Sequence, residues 1–300
     1  MKRYALGWLI VGFIGCIDAC WLHLSDRTVQ SPGVVATCKG AGILMFLAVT
    51  LRLLRSIPRY ERATLKLHYA EAADTAAWCA LLVCLVASTC VLSYLCVSIN
   101  APLVDSSLVR FDSAFGFDWR AVYGWVQSHA LIRRILEFAY ESGRWQLMAI
   151  PLILGLSGRR QALSDFFFLL VIASIILLVV SALFPATSAF IHFRISDANA
   201  AASVSDFALL RDGSLRAIDL LNAQGLVSMP SFHTALAVLF TYSLRKIPRV
   251  FGVVAALNFA MILSTPTQGG HYLADVAGGL LLAVLTIQLL KAAVRHEPSL

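Results

Sequence analysis

The sequence predicts an all-α membrane protein, a polytopic helix bundle of about eight spans with further helices lying in the interface. Three observations carry that reading. Of 300 residues, 59% are hydrophobic and only 14% charged, and the mean hydropathy is +0.78, a balance that no ordinary soluble domain needs. The apolar residues fall in blocks close to the roughly 20 residues a helix needs to cross a bilayer. Lysines and arginines gather at alternate ends of those blocks, as the charge rule for membrane proteins requires.

In chain order the spans are expected at about 5–25, 34–54, 74–98, 145–158, 165–187, 229–244, 248–266 and 270–290, each set by the bilayer length criterion. The first follows Lys2 and Arg3 and is read as a retained helix, not a cleaved leader. Apolar sequence continues past Cys16 to Leu24, no small-x-small site follows, and Asp18 lies inside the run. From Ile57 to Asp74, Arg59, Arg62 and Lys66 stand among apolar side chains, which suits an amphipathic surface helix or a plain connecting loop. The fourth block, Gln146 to Leu156, is short and either crosses at a tilt or re-enters.

With eight spans, Lys2–Arg3, the group Arg52, Arg55, Arg59, Arg62 and Lys66, then Arg159–Arg160, Arg245–Lys246–Arg249 and Lys291 with Arg295 all fall on one side. That side is expected to be cytoplasmic, with both termini inside and a bacterial-type inner membrane as the location. The long segments at about 99–144 and 188–228 then lie outside. Arg110, Arg120, Arg133, Arg134 and Arg144 run against this pattern, in a segment long enough for the rule to weigh less. The net charge of +7 is accounted for by topology and contact with anionic headgroups. Nucleic acid is not an expected partner, since no binding motif accompanies the basic residues.

All seven cysteines (Cys16, Cys20, Cys38, Cys79, Cys84, Cys90 and Cys96) lie in the first three spans, and no disulfide framework follows. Cys16 and Cys20 share a helix face without a histidine or carboxylate in register, so they read as small packing residues and not as a metal site. The sequence has no internal repeat or low-complexity tract. It divides into residues 1–70, a two-span addition with the amphipathic segment, and 71–300, a six-span core. In the first outer segment Asp105, Leu108 and Asp112 precede Gly116-Phe117-Asp118-Trp119, and a helical pattern then runs through Val122, Trp125, Val126, Leu131, Ile132, Ile135 and Phe138. Trp119, Tyr123, Trp125 and Trp145 suit headgroup depth, where such helices form a floor or lid beside a lipid cleft, or simply anchor the chain.

Chemistry concentrates at two span entrances. Ser228-Met229-Pro230-Ser231-Phe232-His233 opens the sixth span. Pro230 suits the first helical turn, and Ser231 and His233 stand where free backbone amides point outward. A helix entrance of this kind is an anion site in outline, and its histidine is placed to pass a proton to a departing oxygen. The eighth span opens with Gln268-Gly269-Gly270-His271-Tyr272-Leu273-Ala274-Asp275. The i,i+4 spacing puts His271 and Asp275 on one face, where the carboxylate fixes the tautomer and leaves the other ring nitrogen free to attack. Gly269 and Gly270 let the backbone approach a bound group. Both entrances face outward in the charge-based topology, so they are able to meet. Asp18 finds no relay partner except His23, about one turn away. The remaining histidines, His23, His68, His129, His192 and His296, read as interfacial.

These residues resemble the type 2 phosphatidic acid phosphatase superfamily, whose motifs are K-x6-R-P, P-S-G-H and S-R-x5-H-x3-D. Pro230-Ser231-Phe232-His233 is similar to the second, with Phe for Gly. Ser264, His271 and Asp275 are similar to the third, with Thr265 where Arg is the rule. The first motif is absent. A P-S-x-H motif paired with Gly-His-Tyr-x-x-Asp resembles the branch with inositol phosphorylceramide synthase-like bacterial members, as do the Asp105–Trp119 segment and Arg211-Asp212-Gly213. The resemblance runs from about residue 70 onward and implies a six-helix phosphatase-type core.

It further implies that His271 is the nucleophile, Asp275 its orienting partner and His233 the acid for the leaving group. The phosphate is then expected to be held by Arg211 and Arg216, helped by Ser231 and Gly270. Arg211 and Arg216 pair equally well with Asp212 and Asp219 on a solvated helix. The expected activity is metal-independent hydrolysis or transfer of a lipid phosphate ester, without a cofactor. A phospholipid or polyprenyl phosphate is the substrate class, and water or a lipid or polyol hydroxyl the acceptor. Two readings compete: a haem-binding membrane protein using the paired histidines, and a non-catalytic lipid-binding scaffold, for which the missing first motif and Thr265 speak. The topology is checked in a background without the native cysteines, where a reagent confined to the outside should modify Gly213→Cys but not Ile247→Cys.

Overall fold

The computed structural model describes residues 2–60, 64, 66–195 and 204–295. Arg62 and His296 lie outside the described residues. Among the described residues the helices are α1 (Lys2–Leu24), α2 (Ser31–Ser56), α3 (Tyr69–Val97), α4 (Asp105–Ala114), α5 (Trp119–Ser128), α6 (Ala130–Leu156), α7 (Arg160–Leu183), the short α8 (Ala189–His192), α9 (Asp206–Arg211), α10 (Phe232–Leu244), α11 (Pro248–Gln268) and α12 (Leu273–Arg295). Six of them, α1, α2, α3, α7, α11 and α12, are long and apolar enough to cross a membrane. The chain is therefore a multi-pass all-α membrane protein, the form in which a backbone satisfies its own hydrogen bonds in lipid. The sixth expected span is the apolar but shorter α10, of 13 residues.

The fourth span differs most from expectation. α6 has 27 residues, about 40 Å at 1.5 Å per residue. It begins at Ala130, well before the apolar block, and carries Arg133, Arg134, Glu137, Glu141 and Arg144 in its first part. Hydropathy marked only the apolar end. The interfacial pattern expected from Val122 to Phe138 is accordingly divided between α5 and α6. The break falls at His129, where Ser128 Oγ (2.8 Å) and His129 Nδ1 (2.7 Å) both turn back to the Trp125 carbonyl, a local competition that ends helices.

Two further boundaries have local causes. α2 stops at Ser56 because Ile57 precedes Pro58 and is extended, as a residue before proline prefers. Of the segment 57–74, Pro58–Tyr60 forms a 3-10 turn, and the residues from Tyr69 onward belong to α3. Pro230 is not in the first turn of α10 as the sequence suggested. Ser231 is the N-cap, and Pro230 lies outside the helix behind a cis Met229–Pro230 peptide.

The chain forms two compact units. One comprises residues 1–92, 148–171 and 216–223, and so takes in residues on both sides of position 70. In it, Tyr4 packs on Ala48, Ala76 and Ala77, and its ring lies 5.2 Å from Trp78, which in turn meets Phe167 at 5.4 Å. A two-residue parallel bridge pairs β1 (Thr28–Val29) with β2 (Ala217–Ile218), a feature too short to leave a pattern in the sequence. The other unit comprises residues 93–147, 172–215 and 224–300. Its buried cluster of Leu108, Trp119, Ala186, Ala189, Phe190, Tyr272 and Ala274 joins α4, α5 and α8 to the entrance of α12. Both candidate histidines belong to this second unit.

Candidate active site

The entrance of α12 is built from backbone constraints. Gly270 has φ +62°, the left-handed region that glycine enters without penalty. Its carbonyl accepts from Ala189 N (2.7 Å) and Ser188 Oγ (3.1 Å). The space a Cβ would occupy is filled by Ser188 and by Phe190, 2.7 Å away, so this glycine's close approach is to the protein itself. His271, just ahead of the helix, donates its amide to the Thr265 carbonyl (3.3 Å), and its own carbonyl accepts from the Trp119 indole (3.1 Å).

His271 Nδ1 faces Asp275 Oδ2 at 3.4 Å, and the two side chains are 6% and 0% exposed. The same oxygen accepts from Ser228 Oγ and Tyr272 N, each at 2.9 Å. Asp275 Oδ1 has no hydrogen-bond partner among the described residues. Thr265, where the family motif has Arg, is fully buried. Its hydroxyl bonds to the Ile262 carbonyl and lies 3.5 Å from Thr234 Oγ1.

The entrance of α10 meets this arrangement directly. Ser231 N donates to the Asp275 carbonyl at 2.9 Å, while Ser231 Oγ accepts from Thr234 N (3.4 Å) and Thr234 Oγ1 (3.2 Å) as the helix cap. Gly279 of α12 makes the approach possible: a Cβ there would strike the Ser231 carbonyl and stand 2.8 Å from Thr234 Cβ. His233 stacks on Tyr140 of α6, with centroids 4.1 Å apart and planes at 20°. The same tyrosine ring lies against Gly269, where a Cβ would be 2.9 Å from Tyr140 Cε2. Tyr140 therefore touches both entrances. Arg144 follows Tyr140 by four residues on α6, one turn along the same face. Arg144 is exposed and paired with Glu141. Among the described residues, neither the ring nitrogens of His233 nor Nε2 of His271 has a hydrogen-bond partner.

The structure thus brings together His233, His271, Asp275, Ser231 and Gly270. The two arginines expected to hold phosphate are placed differently. Arg211 donates to the Ala101 carbonyl (2.8 Å) and lies over the Phe207 ring, its Nη1 without a partner among the described residues. Arg216 belongs to the other unit and donates to the Ser25 carbonyl (3.2 Å). Asp212 and Asp219 accept from Ser214 and from Leu221 and Asn222 within their own turns.

Sequence reasoning gave no role to Tyr140, Ser228 or Arg144, and only spacing to Asp105 and Asp112. Asp112 accepts from Leu273 N (3.0 Å) and Ala274 N (3.1 Å), capping α12 from another helix. Burial pushes its carboxyl above the usual range, Asp275 nearby adds to this, and the two amides oppose it. Asp105 accepts from Tyr272 Oη (2.8 Å), Thr187 Oγ1 (2.6 Å) and Thr187 N (3.1 Å). The interfacial segment thus frames the entrance of α12.

Residues 106–289 match the sequence profile of the PAP2 superfamily, more than half of the chain, and the protein belongs to that superfamily. No curated protein and no solved structure matched the chain. Membership supports phosphoester hydrolysis or transfer as the general class of chemistry.

The cap predicts a graded effect. Asp112→Ala should cost about 1 kcal/mol as a lost helix cap, with a further cost from two buried amides left without an acceptor. The apparent melting temperature in detergent should fall, and phosphoester turnover with it, while Asp112→Asn, which keeps one acceptor, should lose less.

Proposed function

We propose that the protein hydrolyses or transfers a lipid phosphate ester at the outer face of a bacterial-type inner membrane, through a phosphohistidine on His271. The observation that carries this reading is the shared geometry of the two entrances. His271 is oriented by Asp275, and His233 stacks on the Tyr140 ring that lies against Gly269, two residues before His271, with its ring nitrogens unpartnered among the described residues. In the first step His271 Nε2 attacks phosphorus, the bond from phosphorus to the leaving oxygen breaks, and His233 gives that oxygen its proton. In the second, His233 takes a proton from water or from a lipid or polyol hydroxyl. That oxygen attacks phosphorus and the P–N bond breaks. Asp275 stabilises the ring cation in between. Nucleophile, acid and base all come from the chain, so the reaction needs no metal.

The phosphate requires positive charge, and Arg144, one turn along α6 from the Tyr140 that stacks on His233, is assigned to supply it. Free amides at the α10 entrance and the cap Ser231 support it. Substrates of this kind, phospholipids or polyprenyl phosphates, reach the site from the outer leaflet, and both termini lie in the cytoplasm.

In EDTA, purified protein should release or transfer phosphate from at least one of phosphatidic acid, a polyprenyl phosphate, phosphatidylglycerol phosphate, or phosphatidylinositol with a ceramide acceptor. His271→Ala should abolish this activity, and His233→Ala should reduce it by roughly 10²–10⁴, the usual weight of a general acid. Brief exposure to labelled substrate should leave acid-labile, base-stable label on His271. Label on Ser231, or an inert wild type across the whole panel, would overturn the assignment.

A second series separates the cations. Arg144→Ala should lower kcat/KM by about tenfold or more, the scale of one charge-assisted hydrogen bond to phosphate, and by more than Arg211→Ala or Arg216→Ala. The reverse order would return the phosphate site to the segment before α10.

A further inference from the structure

The unit that holds the first two helices contains a cavity of about 1040 Å³ that the reaction does not use. Five cations line it, Lys2 and Arg3 from α1, Arg52 and Arg55 from α2, and Arg160 from α7. Two carboxylates answer them among the described residues. Asp165 pairs with Arg3 at 2.8 Å, and Asp74 pairs with Arg52 at 3.1 Å and with Arg160 at 2.9 Å. Lys2 and Arg55 have no ion-pair partner among the described residues. Positive charge is therefore left over.

Three other features make the cavity more than a charged rim. The rings of Tyr4 and Trp78 form part of its wall. Ser164 lines it as well, is 5% exposed, and its hydroxyl has no hydrogen-bond partner among the described residues. Lys2 and Arg160 are the first residues of α1 and α7, so the free amides and positive dipole ends of two helices open toward the same space. A flexible basic surface that only touches bulk headgroups needs neither a recess of this volume nor a buried unpaired hydroxyl.

We infer that this cavity binds the phosphate headgroup of one anionic lipid at the helix ends that the charge distribution assigns to the cytoplasmic leaflet. Basic pockets between spanning helices on that side suit such headgroups. Guanidinium groups and the hydroxyl meet the phosphate oxygens, Tyr4 and Trp78 cover the glycerol end, and the acyl chains leave along the apolar helices. The first two helices thereby have a binding task separate from the histidine site.

The test is native mass spectrometry of the full chain from mixed micelles holding equal phosphatidylglycerol and phosphatidylethanolamine. Wild type should retain one phosphatidylglycerol in preference. Lys2→Gln with Arg55→Gln removes the two unpaired cations and should weaken retention on the order of tenfold or more. Ser164→Asp, which leaves every basic residue and hence the topology signal in place, should weaken it too. Lys246→Gln with Arg249→Gln removes as much charge outside the cavity and should leave retention unchanged. Equal loss in that control pair, no preference over phosphatidylethanolamine, or retention in both cavity variants would overturn the inference. Displacement of the lipid by glycerol 3-phosphate at comparable concentration would overturn the lipid as source and assign the cavity to a soluble phosphate ester. None of these outcomes depends on phosphoester turnover.

Discussion

Asp275 is the residue through which the two entrances hold each other. Its backbone carbonyl receives the amide of Ser231, the cap of α10, while its carboxylate receives Ser228, Tyr272 and His271. One residue thus fixes the distance between α10 and α12 and the orientation of the imidazole. At 0% exposure its interactions act in low dielectric, where a hydrogen bond is stronger and an unmet one costs more. Moving either helix means breaking bonds at the same atom group. This is why Gly279 matters: a side chain there would press on Ser231 and Thr234 and separate the strands of the arrangement that Asp275 joins.

The interfacial helices extend that constraint outward. A helix entering a bilayer leaves its first amides without partners, and at α12 two of these are met by Asp112 from α4. Trp119 fixes the His271 carbonyl, and Asp105 ties Tyr272 to Thr187. Each of these side chains comes from the segment between the third and fourth expected spans, far from the histidines in sequence. Asp105 and Asp112 stand seven residues, about two turns, apart on one side of α4, and Trp119 opens α5 after the break at Gly116. Their polar groups are buried because their acceptors and donors on α12 and before α8 are buried with them.

Much of this was legible in the sequence. Composition and block length gave the all-α membrane class, and the i,i+4 spacing of His271 and Asp275 gave their pairing. Shared sidedness of the entrances gave their meeting. The rest was hidden for identifiable reasons. Hydropathy separates the first part of α6, with its charges from Arg133 to Arg144, from the apolar span that continues it, and Tyr140 falls between the interfacial pattern ending at Phe138 and the span. Trp119 read as an interfacial anchor because an indole's apolar body dominates its pattern, while its single N–H, the part that acts here, has no periodicity. Pro230 followed a general preference for the first helical turn, which a cap at Ser231 overrode. Thr265 was legible only as a departure from a motif; its burial against Thr234 shows that the position is filled without a guanidinium.

The polar groups of the site divide into two sets once their partners are counted. Asp105 and Asp112 are occupied by protein donors, and so are the Gly270, His271 and Thr265 carbonyls. Among the described residues, capacity remains at Asp275 Oδ1, at His271 Nε2 and at both nitrogens of His233. Of these only Asp275 Oδ1 is both buried and unmet, a standing cost of about 1–3 kcal/mol that packing alone gives no reason to keep. In the proposed reaction that carboxylate meets the cation formed on the His271 ring, while the phosphate ester engages the imidazole nitrogens. The frame residues contribute by being engaged: tied to protein donors, they hold the imidazoles in place.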